Sequence, residues 1–241
     1  MLYVIGLGPG SKEMMSHEAV EAIENSDVIV GYTTYVRIVK DMLKEQEVVS
    51  TGMKREIDRC EKAIEIALTG KDVAVISSGD AGIYGMAGLI LELVGNHEKE
   101  LEVKVIPGVT ASIGGAALLG APIMHDFCHI SLSDLLTPWE VIEKRLHAAA
   151  SADFVICLYN PRSKGRPDNL GKALAIISEY KSTDTLVGIA KDVGRKKEQA
   201  MVTTIKNLDE ELVDMTTIVI VGNKETYLAK GKMITPRGYS L

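Results

Sequence analysis

Short runs of β-branched and aliphatic residues alternate along this chain with longer stretches in which apolar residues recur at helical spacing. In the first half, the runs predict strands at residues 2–5, 27–30, 73–76 and 103–106. The stretches of helical spacing predict helices at residues 17–26, 57–68, 82–94 and 110–119. In the second half, the same patterns predict strands at residues 154–158, 185–190, 199–205 and 217–221, and a helix at 169–180. This alternation is typical of α/β proteins.

The turn at residues 119–122, which contains Gly120 and Pro122, is the best candidate for a domain boundary. The pattern therefore predicts an α/β fold with two α/β domains, residues 1–118 and 122–241. We expect a mostly parallel sheet in the first domain, because its strands alternate with helices. The second half is richer in predicted strand than the first.

The loop after the predicted strand at 73–76 is the most informative segment. Residues 77–86 contain three glycines, which let the backbone approach a ligand closely, and one charged residue, Asp80. Open α/β sheets bind their ligands at the carboxyl ends of strands, where this loop is predicted to lie. Two compatible interpretations of Asp80 stay open. Its carboxylate can bind an ammonium or ribose group of a ligand, or it can cap the helix predicted at 82–94.

Two further glycine loops, at residues 6–10 and 106–112, also follow predicted strands. The first is close to a dinucleotide-binding G-x-G-x-x-G loop, but Pro9 removes an N–H and the third glycine comes one residue early. The second predicted strand also ends without a ribose-binding carboxylate, so NAD and FAD are disfavoured. The loop at 106–112 opens a helix whose first N–H groups can bind a ligand. The alternative for both loops is an ordinary turn after a strand.

Composition and charge narrow the classes of protein that fit. Hydrophobic residues make up 46% of the 241 residues and charged residues 25%, as in an ordinary globular protein. A net charge of −6 and an aromatic content of 5% disfavour nucleic acid and anionic membranes as partners. The first predicted strand starts at Leu2, which leaves no room for a signal peptide, and the three cysteines lack metal-ligand spacing. We therefore expect a cytoplasmic protein with no metal site of its own.

Basic residues gather at three places near the predicted loops, although the chain is acidic overall. The clusters are Lys54, Arg55 and Arg59, then Arg162, Lys164 and Arg166, and then Arg195, Lys196 and Lys197. Arginine binds carboxylates through its planar fork, so these clusters suit a polycarboxylate ligand. The alternative is that they are solvated loops.

The glycine loops at residues 6–10, 77–86 and 106–112 together resemble those of the tetrapyrrole methylase family. The resemblance covers nearly the whole chain. It implies the cofactor S-adenosylmethionine (SAM), converted to S-adenosylhomocysteine and bound in an active-site cleft between the two domains, and it implies a homodimer. The positions that match the cofactor contacts of the family are Pro9, Gly79, Asp80, Ile83, Tyr84, Thr110, Ala111, Tyr159, Val193, Gly194 and Thr217.

Residues 30–35, 51–56, 158–163 and 188–195 resemble the branch of this family that methylates C-17 of a corrin precursor in cobalamin biosynthesis. The uroporphyrinogen methylases instead carry a proline after the Gly-Asp pair, where this chain has Ala81. The resemblance implies methylation of precorrin-3B or cobalt-precorrin-3, with ring contraction to the precorrin-4 level. Together with the basic clusters, it predicts substrate contacts at Tyr32, Thr33, Lys54, Arg55, Arg59 and Arg162.

Other functions stay open beside this one. The chain can be a methyltransferase of the same fold that acts on another tetrapyrrole carbon, on RNA or in diphthamide synthesis. It can also be a nucleotide-binding module without chemistry. A turnover assay with SAM separates the enzymes from the binding module.

Residues 125–131 carry the remaining candidates for chemistry. Asp126 and His129 are candidates for moving protons during ring contraction. The alternative is that both have a structural role at a strand edge. Cys128 and His129 are adjacent and point apart on a strand, which disfavours a metal site. Any cobalt would belong to the substrate.

Overall fold

The computed structural model describes residues 1–52 and 55–240. The chain divides into two units, Met1–Ala111 and Ser112–Leu241, and each contains a five-stranded sheet. The α/β fold class inferred from the sequence is confirmed. The predicted domain limits at residues 118 and 122 stay a prediction.

The first unit is a parallel sheet with helices on both faces. Its strands are β1 (Leu2–Gly6), β2 (Val28–Tyr32), β3 (Glu47–Thr51), β4 (Val73–Ser77) and β5 (Val103–Ile106). Its helices are α1 (His17–Asn25), α2 (Thr33–Val39), α3 (Glu56–Ala67) and α4 (Ala87–Gly95). All strand pairs are parallel, in the order β3-β2-β4-β1-β5. The carboxyl ends of β4, β1 and β5 therefore lie side by side.

Helices pack on both faces of this sheet because its central strand is apolar on both sides. Val75 of β4 packs in a cluster with Ala63 of α3, whereas Ile76 packs in a second cluster with Ile23 of α1. The apolar residues that α3 buries recur at i, i+3, i+4 and i+7, as expected for one face of a helix. They are Cys60, Ala63, Ile64 and Ala67.

The second unit contains a mixed sheet and a smaller one. The main sheet is formed by β7 (Phe127–Ser131), β8 (Val155–Tyr159), β9 (Leu186–Lys191), β10 (Gln199–Thr204) and β11 (Thr217–Val221), in the order β10-β9-β11-β8-β7. The β7–β8 pair is parallel and the other pairs are antiparallel. The smaller sheet is formed by β6 (Gly120–Ala121), β12 (Tyr227–Ala229) and β13 (Lys232–Ile234). The helices are α5 (Ala111–Leu119), which begins at the division between the units, α6 (Trp139–Ser151) and α7 (Asn169–Ser178).

Helices also cover both faces of the main sheet in the second unit. Leu146 of α6 and Leu170 of α7 pack in one cluster with Ile189 of β9. Small residues let α5 lie against the other face, since a Cβ on Gly115 would come within 2.7 Å of the side chain of Ile218. The helix predicted at residues 110–119 is confirmed, as α5.

The structure corrects the helix predicted at residues 82–94, which begins only at Ala87. Residues 82–86 form a non-helical loop, in which Tyr84 has a left-handed φ of 55° and Ala87 N donates to Ala81 O at 2.9 Å. Glycine favours such a loop because it disfavours the helix by about 1 kcal/mol per residue. Asp80 therefore does not cap α4.

The sequence pattern did not predict α2, β3, α6 or the smaller sheet, whereas β7 agrees with the strand considered for residues 125–131. Short 3₁₀ helices also occur at Lys12–Met14, Lys40–Met42, Ile205–Asn207 and Glu210–Leu212. Among the residues that the structure describes, every helix is too short or too polar to cross a bilayer.

Candidate functional site

Three loops meet at the carboxyl ends of β4, β1 and β5. Gly8 N donates to Gly79 O at 3.0 Å, and Gly79 N donates to Gly8 O at 2.8 Å. A Cβ on Gly108, in the third loop, would lie 2.3 Å from Gly79 O and 2.6 Å from Gly6 O. Only glycine fits at position 108, because both of these neighbours are backbone atoms. The three glycine loops singled out in the sequence are thus in direct contact with one another.

The Asp80 carboxylate ties two of these loops together. Its Oδ1 accepts from Gly82 N at 2.8 Å and from Ile83 N at 3.1 Å, and its Oδ2 accepts from Gly108 N at 3.0 Å. The preceding Gly79 has a φ of 68°, which L side chains rarely adopt. A carboxylate can accept about four hydrogen bonds, so these three leave capacity for a ligand donor. The interpretation of Asp80 as a helix cap is wrong, whereas its contact with a cofactor stays a prediction.

The other predicted cofactor residues of the first unit lie in or beside the same loops. Pro9 and Thr110 are buried, whereas Tyr84 is 53% exposed. Ala111 is the first residue of α5, and the first N–H groups of a helix have no acceptor within the helix. These positions therefore offer backbone and side-chain groups around one edge of the parallel sheet.

The predicted cofactor residues of the second unit gather at one end of its main sheet. Tyr159 ends β8, and Val193 and Gly194 follow β9. Thr217 begins β11, which runs antiparallel to β9 and pairs Thr217 with Lys191. The beginning of β11 therefore lies beside the ends of β8 and β9, so the four residues share one end of the sheet.

His129 lies on β7 in contact with Ser112 and Tyr159. Its Nε2 is 2.8 Å from Ser112 Oγ, and its ring centroid is 5.0 Å from that of Tyr159. Tyr159 OH accepts from the backbone N–H of Ser112 at 3.0 Å, so the three residues form one network. Burial lowers the pKa of His129. The lowered pKa favours the neutral imidazole at pH 7.

Asp126 and His129 have different partners in the described residues, and a role of either residue in proton transfer stays a prediction. Asp126 Oδ2 is 3.6 Å from His125 Nδ1, and its side chain is 82% exposed. Ser112 is the hydrogen-bond partner of His129 instead. Cys128 packs against the core on the opposite side of β7, as expected for its neighbouring position on a strand.

The predicted substrate residues of the first unit surround the ends of β2 and β3. Tyr32 ends β2, and Thr33 begins α2 and donates from Oγ1 to Thr51 O at 3.4 Å. Arg59 is only 4% exposed. Its Nε donates to Thr51 Oγ1 at 2.7 Å and its Nη2 to Gly52 O at 3.1 Å. These bonds give Arg59 a structural role at the end of β3, and its contact with a substrate stays a prediction.

Two other predicted substrate arginines are paired with carboxylates of the chain. Arg55 Nε lies 2.7 Å from Asp58 Oδ2. Both Nη groups of Arg162 bind the carboxylate of Glu211, with Nη1 donating to Oε2 at 3.2 Å. A substrate carboxylate would have to replace Asp58 or Glu211 at these sites. Lys54 lies outside the described residues.

Comparison with known proteins identifies the family. The sequence model of the family named Tetrapyrrole (Corrin/Porphyrin) Methylases matches residues 1–209. This chain belongs to that family. The resemblance inferred from the glycine loops is therefore confirmed.

Two curated relatives match over nearly all of this chain. A protein of Salmonella typhimurium, named probable cobalt-factor III C(17)-methyltransferase, is 60% identical over 241 residues, which cover all of both chains. The precorrin-3B C(17)-methyltransferase of Sinorhizobium sp is 39% identical over 99% of this chain and 97% of its own. The chain is therefore similar along its whole length to proteins named for methylation at C-17.

Solved structures agree with the fold. The crystal structure of the methyltransferase CobJ superposes with a TM-score of 0.92 at 38% identity, over 98% of this chain and 99% of its own. A uroporphyrin-III C-methyl transferase from Thermus thermophilus, complexed with S-adenosyl homocysteine, has a TM-score of 0.70 at 18% identity, over 92% and 91% of the two chains. This second match shows the fold alone.

Proposed function

We propose that this protein is a SAM-dependent methyltransferase that methylates C-17 of a corrin precursor and contracts its macrocycle. The observation that carries the proposal is the 60% identity to the Salmonella typhimurium protein over the full length of both chains. The Sinorhizobium relative, at 39% identity, is named for the same ring position. Similarity along both units supports a shared substrate as well as a shared fold.

We propose a cobalt-containing substrate. The relative named for cobalt-factor III is 60% identical, whereas the one named for cobalt-free precorrin-3B is 39% identical. Cobalt would enter as part of the macrocycle, so the protein needs no ligands of its own for it. The sequence left the metal content of the substrate open.

The glycine loops of the first unit fit SAM, which supplies a methyl group on a positively charged sulfonium. Gly108 lets the loops pack backbone against backbone, and Gly79 supplies the positive φ at which the second loop turns. Asp80 has one unused acceptor site for an ammonium or a ribose hydroxyl. The remaining proposed contacts are Pro9, Ile83, Tyr84, Thr110, Ala111, Tyr159, Val193, Gly194 and Thr217.

The main task of the chain is to align the substrate carbon with the methyl group, because the corrin precursor is already electron-rich. The ring carbon donates an electron pair to the methyl carbon as the methyl–sulfur bond breaks, and sulfur keeps that bonding pair as a thioether. Ring contraction also moves protons, and His129 is the proposed carrier. Burial lowers its pKa and so favours the neutral form, which can accept a proton, and the contact with Ser112 Oγ orients the ring.

We also infer that the protein works in the cytoplasm as a homodimer, with a tetrapyrrole rather than nucleic acid or a membrane as its partner. The net charge of −6 supports this choice of partner, because nucleic acid and most biological membranes are anionic. The homodimer rests on the family resemblance, and the location rests on the free cysteines Cys60, Cys128 and Cys157, which fit a reducing compartment.

Turnover with two candidate substrates tests the proposal. The protein is incubated anaerobically with SAM, a reductant and either cobalt-factor III or precorrin-3B, and the products are followed by mass and absorption spectrum. We expect a product that carries one additional methyl group from SAM when cobalt-factor III is the substrate, formed at a higher rate than the product from precorrin-3B. Methylation of neither compound would contradict the proposed function, and faster methylation of precorrin-3B would contradict the choice of the cobalt-containing substrate.

A further inference from the structure

Several basic residues around the main sheet of the second unit are neutralised by neighbouring carboxylates. Arg162 binds Glu211 through both of its Nη groups. Lys191 Nζ lies 2.6 Å from Asp214 Oδ2. Such pairs cancel much of the charge that a substrate carboxylate would meet.

Arg166, four residues after Arg162, has a different environment. It is partly buried, and the side chains that its guanidinium contacts are all uncharged. Nε donates to Ser163 Oγ at 3.3 Å, Nη1 donates to Ser133 Oγ, and Nη2 lies 3.4 Å from Met215 Sδ. Within residues 1–52 and 55–240, no carboxylate lies within salt-bridge distance of this guanidinium.

The guanidinium keeps unused hydrogen-bonding capacity. Arginine has about five N–H donors, and the three contacts leave one on each Nη. A charge that is partly removed from water without a counter-ion costs free energy, so this guanidinium favours an anionic ligand. A carboxylate suits the two remaining donors because its oxygens match the planar fork.

The backbone around Arg166 is held in place, so the fork is fixed before a ligand arrives. Ser163 and Arg166 bond to each other across a short bridge, with N to O distances of 3.3 and 3.0 Å. The Ser133 side of the site is fixed by Asn169, whose Nδ2 donates to Leu132 O at 2.8 Å. Such preorganisation lowers the cost of ordering the site on binding.

We propose that Arg166 binds a carboxylate of the tetrapyrrole substrate and is the main anion-binding residue of residues 160–167. This inference rests on the proposed function, because it takes its ligand from that substrate. The carboxylate of the methionine part of SAM offers the same chemistry, so the experiment must separate the two sources. Arg162, the residue predicted from the sequence, is already occupied by Glu211.

The test compares Arg166→Gln and Arg166→Lys with wild type and with Arg145→Gln. Arg145 is an exposed arginine on α6, in the same unit. Arg145→Gln therefore makes the same substitution at a surface position. For each protein, S-adenosylhomocysteine is titrated by calorimetry, and cobalt-factor III is then titrated by absorption with S-adenosylhomocysteine present. The thermal midpoint of each variant reports whether it folds.

We expect Arg166→Gln to bind cobalt-factor III at least about tenfold more weakly, a smaller loss than for a fully buried charge pair because Arg166 is only partly buried. Arg166→Lys keeps the charge but not the planar guanidinium, so its affinity for cobalt-factor III should lie between those of wild type and Arg166→Gln. Both variants should bind S-adenosylhomocysteine as wild type does, and Arg145→Gln should match wild type for both ligands. If Arg166→Gln is poorly folded, the decision rests on Arg166→Lys.

Three results would overturn the inference. In the first, the Arg166 variants bind cobalt-factor III as tightly as Arg145→Gln does, and wild type still methylates it. The proposed function then stands without the inference about Arg166. In the second, the variants lose S-adenosylhomocysteine affinity as well, which assigns Arg166 to the cofactor. In the third, wild type itself fails to bind cobalt-factor III, which removes the proposed function along with the inference.

Discussion

Replacing Gly108 by alanine should disrupt the contact of the three glycine loops. The new Cβ would lie 2.3 Å from Gly79 O, whereas real Cβ atoms essentially never have a contact shorter than 3.0 Å. The two atoms must therefore separate by about 0.7 Å. The obstacle is backbone on both sides, because Gly6 O would also lie only 2.6 Å from the Cβ. No side-chain rotation relieves this clash.

The size of the effect follows from this displacement. Overpacking of this kind costs about 1–3 kcal/mol of stability. A misplacement of about 1 Å in a binding site can cost roughly 100-fold in activity. We therefore expect Gly108→Ala to weaken S-adenosylhomocysteine binding at least about tenfold, or about 1.4 kcal/mol, in a calorimetric titration.

Gly88→Ala is the matched control for this change. Gly88 lies in α4 with nothing within 4 Å of its added Cβ, so alanine should keep the affinity and raise the free energy of unfolding by up to about 1 kcal/mol. Unfolding in urea gives the stability of both variants. If Gly108→Ala binds S-adenosylhomocysteine as tightly as Gly88→Ala does, the three loops do not form the cofactor site.

Three further substitutions test other parts of the account. In Asp80→Asn, one carboxylate oxygen becomes an NH₂ group that faces a backbone N–H, so the free energy of unfolding should fall by about 1–3 kcal/mol. Titration of the same variant should show weaker S-adenosylhomocysteine binding. Unchanged affinity would leave Asp80 a purely structural residue. Burial lowers the pKa of His129, so as the pH falls its imidazole is protonated in the unfolded chain before it is protonated in the folded chain. The free energy of unfolding should therefore fall as the pH drops below about 6.5. In urea unfolding at several pH values, His129→Gln should lose less stability than wild type as the pH falls, and an equal loss would contradict a lowered pKa of His129. Arg59→Met should lower the free energy of unfolding by about 1–3 kcal/mol, because Gly52 O and Thr51 Oγ1 lose a charged donor. Unchanged stability with weaker cobalt-factor III binding would instead make Arg59 a substrate residue.

The strands of the first unit were largely predictable because they are apolar on both faces. Every residue of β4 is buried, so the strand appears in the sequence as an apolar run. By contrast, β3 lies at the edge of the sheet and is mostly exposed, with Glu47 at its start. Its residues form no apolar run, so the sequence pattern did not predict it.

The site was predictable at the level of loops but not of side-chain partners. Glycine marks the loops because position 79 needs a positive φ and position 108 a close backbone approach. Partners depend on tertiary structure, as with His129, whose partner Ser112 is 17 residues away in the sequence. Two arginines four residues apart can therefore differ completely, since only the fold shows which of them meets a carboxylate.

The most direct measurement of the central claim is the position of the new methyl group. The protein is incubated with cobalt-factor III, a reductant and SAM that carries ¹³C in its methyl group, and the product is analysed by NMR. We expect one labelled methyl group on C-17 of a contracted macrocycle. A label on another ring carbon would assign the protein to a different branch of the family, and the absence of label from the product would contradict methyl transfer altogether.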